Sequence, residues 1–289
     1  MAYATAQGAR IYYEEAGRGT PVLFIHEFAG DHRSWDDQMR HFGRGWRALT
    51  WGARGYPPSD CPDEEALYGQ DFFNRDAIAV LDAAGVDRAH VVGLSMGGYT
   101  ALMLAAKYPA RVLSCTAAGA GSGALLATRQ QFVADVGLRA AAFERAGQID
   151  AEAVGLNPTR VQLLNKDPIG WRRFVDHLAQ HPAHAAAKTL RQVQGARTSL
   201  YDLEAELKAI RAPILLLVGD EDEPCLDVNL WMKRLLPNAR LAMVPACGHA
   251  INLEEPALFN GIVERFIGEV ERRAWTPRDA RALPPAAAI

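Results

Sequence analysis

An α/β architecture, an open and mostly parallel sheet flanked by helices, follows from three features of the chain. Short apolar runs alternate with longer stretches of helical spacing, the arrangement that parallel strands joined by helical crossovers require. A G-x-S-x-G stands directly after one such run and directly before a helical stretch. The alternation stops between about Gly121 and Leu207 and resumes at Ile214, which marks an insertion into a sheet that continues in space around it.

Taken in order, strands are expected at residues 11–14, 22–26, 47–51, 90–93, 112–117, 214–219 and 239–244. Residues 72–84 and 96–108 read as helices; in the second, Leu102, Leu104, Ala105 and Tyr108 recur at roughly helical spacing, and Pro109 ends it. Between Gly121 and Leu207, Ala, Arg, His and Gln dominate without a strong β run, so a helical module is expected there. The predicted organisation is a core of residues 1–120 and 208–275 and a helical cap of residues 121–207, which covers the edge where the strands end and shapes a pocket. A flexible tail of residues 276–289, rich in Pro, Ala and Arg, follows.

Composition narrows the partners. With 49% hydrophobic and 22% charged residues in 289, the chain can bury a large core and is not intrinsically disordered. Lys plus Arg number 31 against 34 Asp plus Glu, so no basic excess argues for nucleic acid or an anionic membrane, and a small-molecule partner is expected. The start MAYATAQGARIYY lacks a positive region followed by an apolar one, and the aliphatic runs at 22–25 and 214–218 are far below membrane-span length; a cytoplasmic location is expected. Cys61, Cys115, Cys225 and Cys247 have no metal-ligand spacing, which suits reduced thiols. A monomer and a homodimer are both open.

The chemistry centres on Gly93-Leu94-Ser95-Met96-Gly97. A serine on a sharp strand-to-helix turn, with glycines two residues either side, presents its hydroxyl at the helix N-terminus, and Ser95 is read as a nucleophile. Such a hydroxyl needs an imidazole base that a carboxylate orients. His249, in Cys247-Gly248-His249-Ala250, lies on a loop after the run 239–244, and Asp220, Glu221, Asp222 and Glu223 directly follow the run 214–218. The chain order serine, acid, histidine is that of one known catalytic arrangement.

On these residues the sequence resembles the α/β-hydrolase-fold enzymes, over about residues 10–120 and 208–272. GLSMGG is joined by His26-Glu27-Phe28-Ala29-Gly30 where the family has an HG-x-x-G oxyanion loop, by Arg54-Gly55-Tyr56 before Ser59-Asp60, by a G-x-x-D at residues 219–222, and by GHAINLEEP at residues 248–256. The resemblance implies an α/β-hydrolase fold with an inserted helical cap, and a serine hydrolase without cofactor or metal. Ser95 would attack, His249 act as base, and Asp222, the last residue of the G-x-x-D, orient it. The backbone amides of Phe28 and Met96 would form the oxyanion hole. His26 would anchor the loop rather than act as a base, and it is kept with Glu27, Trp171 and Arg172 as a candidate for the substrate pocket. A carboxylic ester or related acyl compound is the expected substrate, with carbon–carbon and amide hydrolysis as alternatives. A non-catalytic ligand-binding member of the fold is a reading of a different class, against which the complete triad argues.

Three further features bear on the pocket. Glu27 replaces the family's glycine and puts a carboxylate beside the oxyanion loop; it either orients water or a substrate group or pairs with an arginine such as Arg54, and pairing is expected. His177, His181 and His184 have helical spacing that could suggest a metal site, but Pro182 interrupts the helix and no carboxylate completes the set, so a solvated or pocket-facing lid is expected. Trp171, Arg172, Arg173 and Phe174 either line the pocket or form an ordinary amphipathic helix with its aromatic side inward.

Overall fold

Eight strands form one sheet in the computed structural model, which describes residues 2–282. They are β1 (Ala2–Ala6), β2 (Ala9–Gly17), β3 (Pro21–Ile25), β4 (Arg47–Trp51), β5 (Ala89–Leu94), β6 (Val112–Ala118), β7 (Ile214–Gly219) and β8 (Ala239–Val244), in the spatial order β1-β2-β4-β3-β5-β6-β7-β8. β2 pairs antiparallel with β1 and with β4, and every later pairing is parallel. β1 has no counterpart in the sequence reading, because three of the five residues in this short edge strand are alanine, which carries little β signal.

The strand pattern explains the two faces. In β3, Val22 and Phe24 pack with Trp35, Phe42, Phe259 and Phe266, while Leu23 and Ile25 pack with Phe73, Val80 and Leu102. In β7, Leu215 and Leu217 likewise join the first group, and Ile214 and Leu216 the second. Successive side chains point to opposite sides, and both sides are covered, so the central strands read as unbroken apolar runs. Helices α1 (Asp36–Phe42), α2 (Gln70–Ala83) and α3 (Met96–Lys107) precede the insertion.

Between β6 and β7 lie α4 (Arg129–Ala146), α5 (Ala151–Gly155), α6 (Val161–Lys166), α7 (Pro168–Leu178), α8 (Ala183–Thr189) and α9 (Glu204–Lys208); a π-helical turn, Leu190–Gly195, continues α8. This stretch has an apolar cluster of its own, which includes Val136, Phe143, Leu163, Trp171, Phe174 and Leu178. The chain then closes with α10 (Glu223–Leu235), α11 (Ile251–Glu254) and α12 (Pro256–Glu271).

Two buried ion pairs tie these parts together. Asp31, after β3, accepts a hydrogen bond at 3.0 Å from His181, in the turn between α7 and α8, and is also paired with Arg33. Burial would raise its pKa, but the contacts with His181 and Arg33 outweigh burial and hold the carboxyl well below the usual range. Arg54 donates to both carboxylate oxygens of Asp76 on α2 at 2.7 and 2.6 Å, to the carbonyl of Leu67 at 2.7 Å and to that of Ala6 at 3.3 Å.

The chain after α12 keeps contact with the core up to and past residue 276, where the tail is expected to begin. Trp275 meets Phe266 edge-on and donates to the carbonyl of Asn238 at 2.9 Å, the Thr276 carbonyl accepts from Arg240, and the Arg278 amide donates to Pro237. The one indole supplies an apolar anchor that the Pro and Ala content hides. Residues 283–289 of that expected tail lie outside the described residues. No described helix is long and apolar enough to cross a membrane.

Candidate active site

The strand order reverses at β3, whose neighbours are β4 on one side and β5 on the other. At such a point the connections leave in opposite directions and open a crevice at the carboxyl ends of the strands. The turn from β5 into α3 lies there. Ser95 occupies it with φ 55° and ψ −111°, a conformation that costs a non-glycine residue of the order of 1–3 kcal/mol. Close packing enforces it: a Cβ on Gly97 would stand 2.0 Å from the carbonyl oxygen of Ile25 at the end of β3, so only glycine fits. Met96 is the first residue of α3, and its amide therefore has no acceptor within the helix.

His249 follows β8 and reaches the same crevice. Its Nδ1 donates to Oδ2 of Asp222 at 2.7 Å, and Asp222 is completely buried. Burial pushes the imidazole pKa down, yet the charge and hydrogen bond of Asp222 push it up by more, and the net direction is upward. The neighbouring carboxylates do other work: Asp220 accepts from the Cys247 amide, and Glu221 pairs with Gln162 at the surface. Gly119, at the end of β6, packs so closely that a Cβ there would lie 3.4 Å from both the imidazole and the carboxylate.

The His249 loop is held by groups that motif reading did not find. Both carboxylate oxygens of buried Glu254 accept from backbone amides, Gly248 at 2.6 Å and Ala250 at 3.1 Å. The amide of His249 donates to the carbonyl of Thr159 at 2.6 Å. Glu254 was visible within GHAINLEEP as a carboxylate one helical turn beyond the histidine; Thr159 left no sequence signal.

The loop after β3 is fixed through His26. The amide of Ala53 donates to its Nε2 at 3.0 Å, so Nδ1 carries the proton and donates to the carbonyl of Glu27 at 2.7 Å. Burial lowers the pKa of this imidazole to about 4, consistent with a neutral ring. Tyr56 packs edge-on to His26 and donates to the Phe28 carbonyl at 3.0 Å. His26 is thus committed to the loop and is not among the residues that line the cavity, where the sequence reading kept it as a pocket candidate.

The cavity has a volume of about 220 Å³, and Ser95 and His249 share it with Phe28, Phe132, Phe143 and two arginines, Arg139 and Arg160. Arg160, just before α6, pairs with buried Glu27. The expected partner Arg54 is instead taken by Asp76, because α2 brings that carboxylate against it. Glu27 Oε2 also stands 3.9 Å from His249 Nε2.

Trp171 and Arg172 do not line this cavity. Trp171 is buried in the apolar cluster of the inserted helices and donates to the carbonyl of Gly155 at 3.0 Å; Arg172 is exposed, over the Trp171 ring and paired with Glu152. The helix pattern shows an apolar face but not which neighbour it meets. Arg173 and Phe174 face a second, smaller recess with His177.

Among the described residues, one group of His, Cys, Asp and Glu brings three donor atoms together: Asp222, Cys225 and His249. Its chemistry does not fit a cation. Burial raises the Cys225 thiol pKa, the thiol donates to the Gly119 carbonyl at 3.2 Å, and His249 Nδ1 is spent on Asp222, whereas a metal requires a thiolate and a free ring nitrogen. His181, of the three histidines in the insertion, is occupied by Asp31.

A parallel sheet wound about a strained serine turn, with a carboxylate-bound histidine on the loop after the last strand, defines a hydrolase architecture. The sequence model of the alpha/beta hydrolase fold matches residues 20–256, and the chain belongs to that family. It is 29% identical, over 89% of its length and 91% of the relative's, to a 2-hydroxy-6-oxo-6-phenylhexa-2,4-dienoate hydrolase of Burkholderia cepacia. To 3-oxoadipate enol-lactonase 1 of Acinetobacter baylyi it is 27% identical over 86% of its length and 89% of the relative's. Among solved structures, a hydrolase from Pseudomonas aeruginosa superposes with a TM-score of 0.80 at 26% identity, covering 92% of this chain and 98% of that one.

Proposed function

We propose that the protein is a serine hydrolase that cleaves a carboxylic ester or related acyl compound through an acyl-enzyme. The observation that carries this reading is the 2.7 Å bond between His249 and Asp222, made at the rim of the cavity that holds the strained Ser95. Ser95 Oγ attacks the acyl carbon as His249 Nε2 takes its proton; the proton then passes to the leaving group, and water releases the acid in a second round. The amides of Phe28 and Met96 stabilise the oxyanion. The residues require no cofactor, and the partner is a small molecule met in the cytoplasm.

Arg139, at the cavity wall, supports an acyl compound that bears a carboxylate, since a guanidinium group pairs with a carboxylate in bidentate fashion. The named substrates of the two relatives, a dienoate and an oxoadipate enol-lactone, are carboxylates as well. The first relative also favours a second reading, hydrolysis of a carbon–carbon bond in a vinylogous diketone acid. The test is a panel of chromogenic esters, neutral and anionic, beside such a diketone acid and a fluorophosphonate probe, with wild type and Ser95→Ala. The expected result is covalent labelling and ester turnover in wild type and neither in the variant. Diketone turnover alone selects the second reading, and failure of folded wild type to label refutes the acyl-enzyme.

A further inference from the structure

We infer that Glu27 is a catalytic residue of the hydrolytic half-reaction, holding the water that releases the acyl group. The inference rests on the acyl-enzyme reading above. Glu27 is only 1% exposed, and its Oε2 lies 3.9 Å from His249 Nε2, the ring nitrogen turned away from Asp222. That nitrogen serves two partners in succession: the hydroxyl of Ser95 during acylation, then water once the leaving group has gone.

A water placed for attack spends one O–H on Nε2. Its second O–H needs an acceptor at the same point, without which the molecule would be poorly fixed. Two hydrogen bonds of about 2.8 Å close on a 3.9 Å gap at roughly a right angle, close to the geometry of a single water. Glu27 can therefore accept the second proton of the same water that His249 deprotonates. In the step itself the water oxygen bonds to the acyl carbon, its proton passes to Nε2, and that proton moves to Ser95 Oγ as the ester bond to serine breaks. Glu27 only accepts a hydrogen bond, so its charge is unchanged and the step balances.

The charge of Glu27 would by itself oppose an oxyanion formed beside the same loop. Arg160 removes this objection: its guanidinium pairs with Oε2, and its own side chain is 13% exposed, at the cavity wall. A buried ion pair is a poor source of stability, and an apolar pair of the same shape would serve the fold as well. Its position at the reactive nitrogen is what a water-holding role accounts for.

The test is pre-steady-state hydrolysis of p-nitrophenyl acetate with intact-mass detection of the acyl-enzyme, in wild type, Glu27→Gln and Glu27→Asp. The expected result is near-normal acylation in both variants, a release step slower by roughly a hundredfold from misplacement of the water, an acetyl group that accumulates on Ser95, and recovery of turnover by hydroxylamine, which needs no second acceptor. Parallel loss of acylation and release, or a change in KM alone, would overturn the inference and leave Glu27 as a tether for Arg160. Glu27→Asp keeps the charge and serves if Glu27→Gln fails to fold. Absence of any acyl-enzyme in wild type, with no fluorophosphonate labelling, would instead remove the reading on which the inference stands.

Discussion

Asp76→Asn is a direct probe of how the fold carries the site. Arg54 and Asp76 are both fully buried, and among the described residues the guanidinium has no other anionic partner, only the carbonyls of Leu67 and Ala6. Replacing the carboxylate with an amide of nearly equal volume leaves a cation desolvated, a loss of about 3–5 kcal/mol. With 289 residues at about 2.1 cal/mol/K each, the unfolding entropy is about 0.6 kcal/mol/K, so the Tm should fall by roughly 5–8 °C. Arg54 also lies between Ala53, whose amide binds His26, and Tyr56, whose hydroxyl binds the Phe28 carbonyl. Ester turnover should therefore fall while the protein is still folded. Calorimetry of Asp76→Asn and of Arg54→Met/Asp76→Leu checks both points, since the double variant removes the stranded charge and should recover most of the loss. A single variant that melts within 2 °C of wild type, or a double variant that melts below it, would refute the reasoning.

Three other outcomes are expected. Arg139→Gln should raise KM several-fold for an anionic ester and leave a neutral ester unchanged, because a solvent-accessible ion pair contributes about 0.2–1 kcal/mol; steady-state kinetics on the two esters decides it. His26 and His90 are both lowered to about 4 by burial, so the unfolded chain binds more protons than the folded one below about pH 6.5. These two groups should make stability fall as the pH drops from about 6.5 toward 4, by at most about 1.4 kcal/mol per unit for each histidine, whereas His249, shifted upward, contributes the opposite slope above about pH 6.5. Denaturant midpoints at pH 7 and 5 test this, and His90→Gln should lessen the slope. Finally, Ser95→Gly should be inactive yet melt above Ser95→Ala, since only glycine relieves the positive φ at a cost of about 0.4–1 kcal/mol in chain entropy; equal melting temperatures would show that the turn stores no strain.

The sheet was legible where strands are covered on both faces, since β3 and β7 are then short continuous apolar runs, and their length and flanking residues separate them from buried helices. β1 escaped because an edge strand of Ala, Tyr and Thr needs little apolar character. The placement of Ser95 and His249 on loops at strand ends could be read from the runs that precede them. The partners of Glu27 could not: pairing with an arginine was foreseeable, but Arg54 and Arg160 differ only in which helix approaches, and that is decided by packing between distant segments. Trp171 and Arg172 show the same limit, as an amphipathic helix declares an inner face without declaring what it covers. Thr159 contributes a backbone carbonyl, which no side-chain pattern marks.

That carbonyl limits how far the inserted helices can be treated as an interchangeable specificity module. The main chain of His249 is fastened to the segment that would have to be exchanged. A chimera that takes residues 121–207 wholesale from a relative would reset the acyl preference and the seat of the imidazole together. One that keeps residues 157–160 and exchanges the rest would vary the first while leaving the second in place.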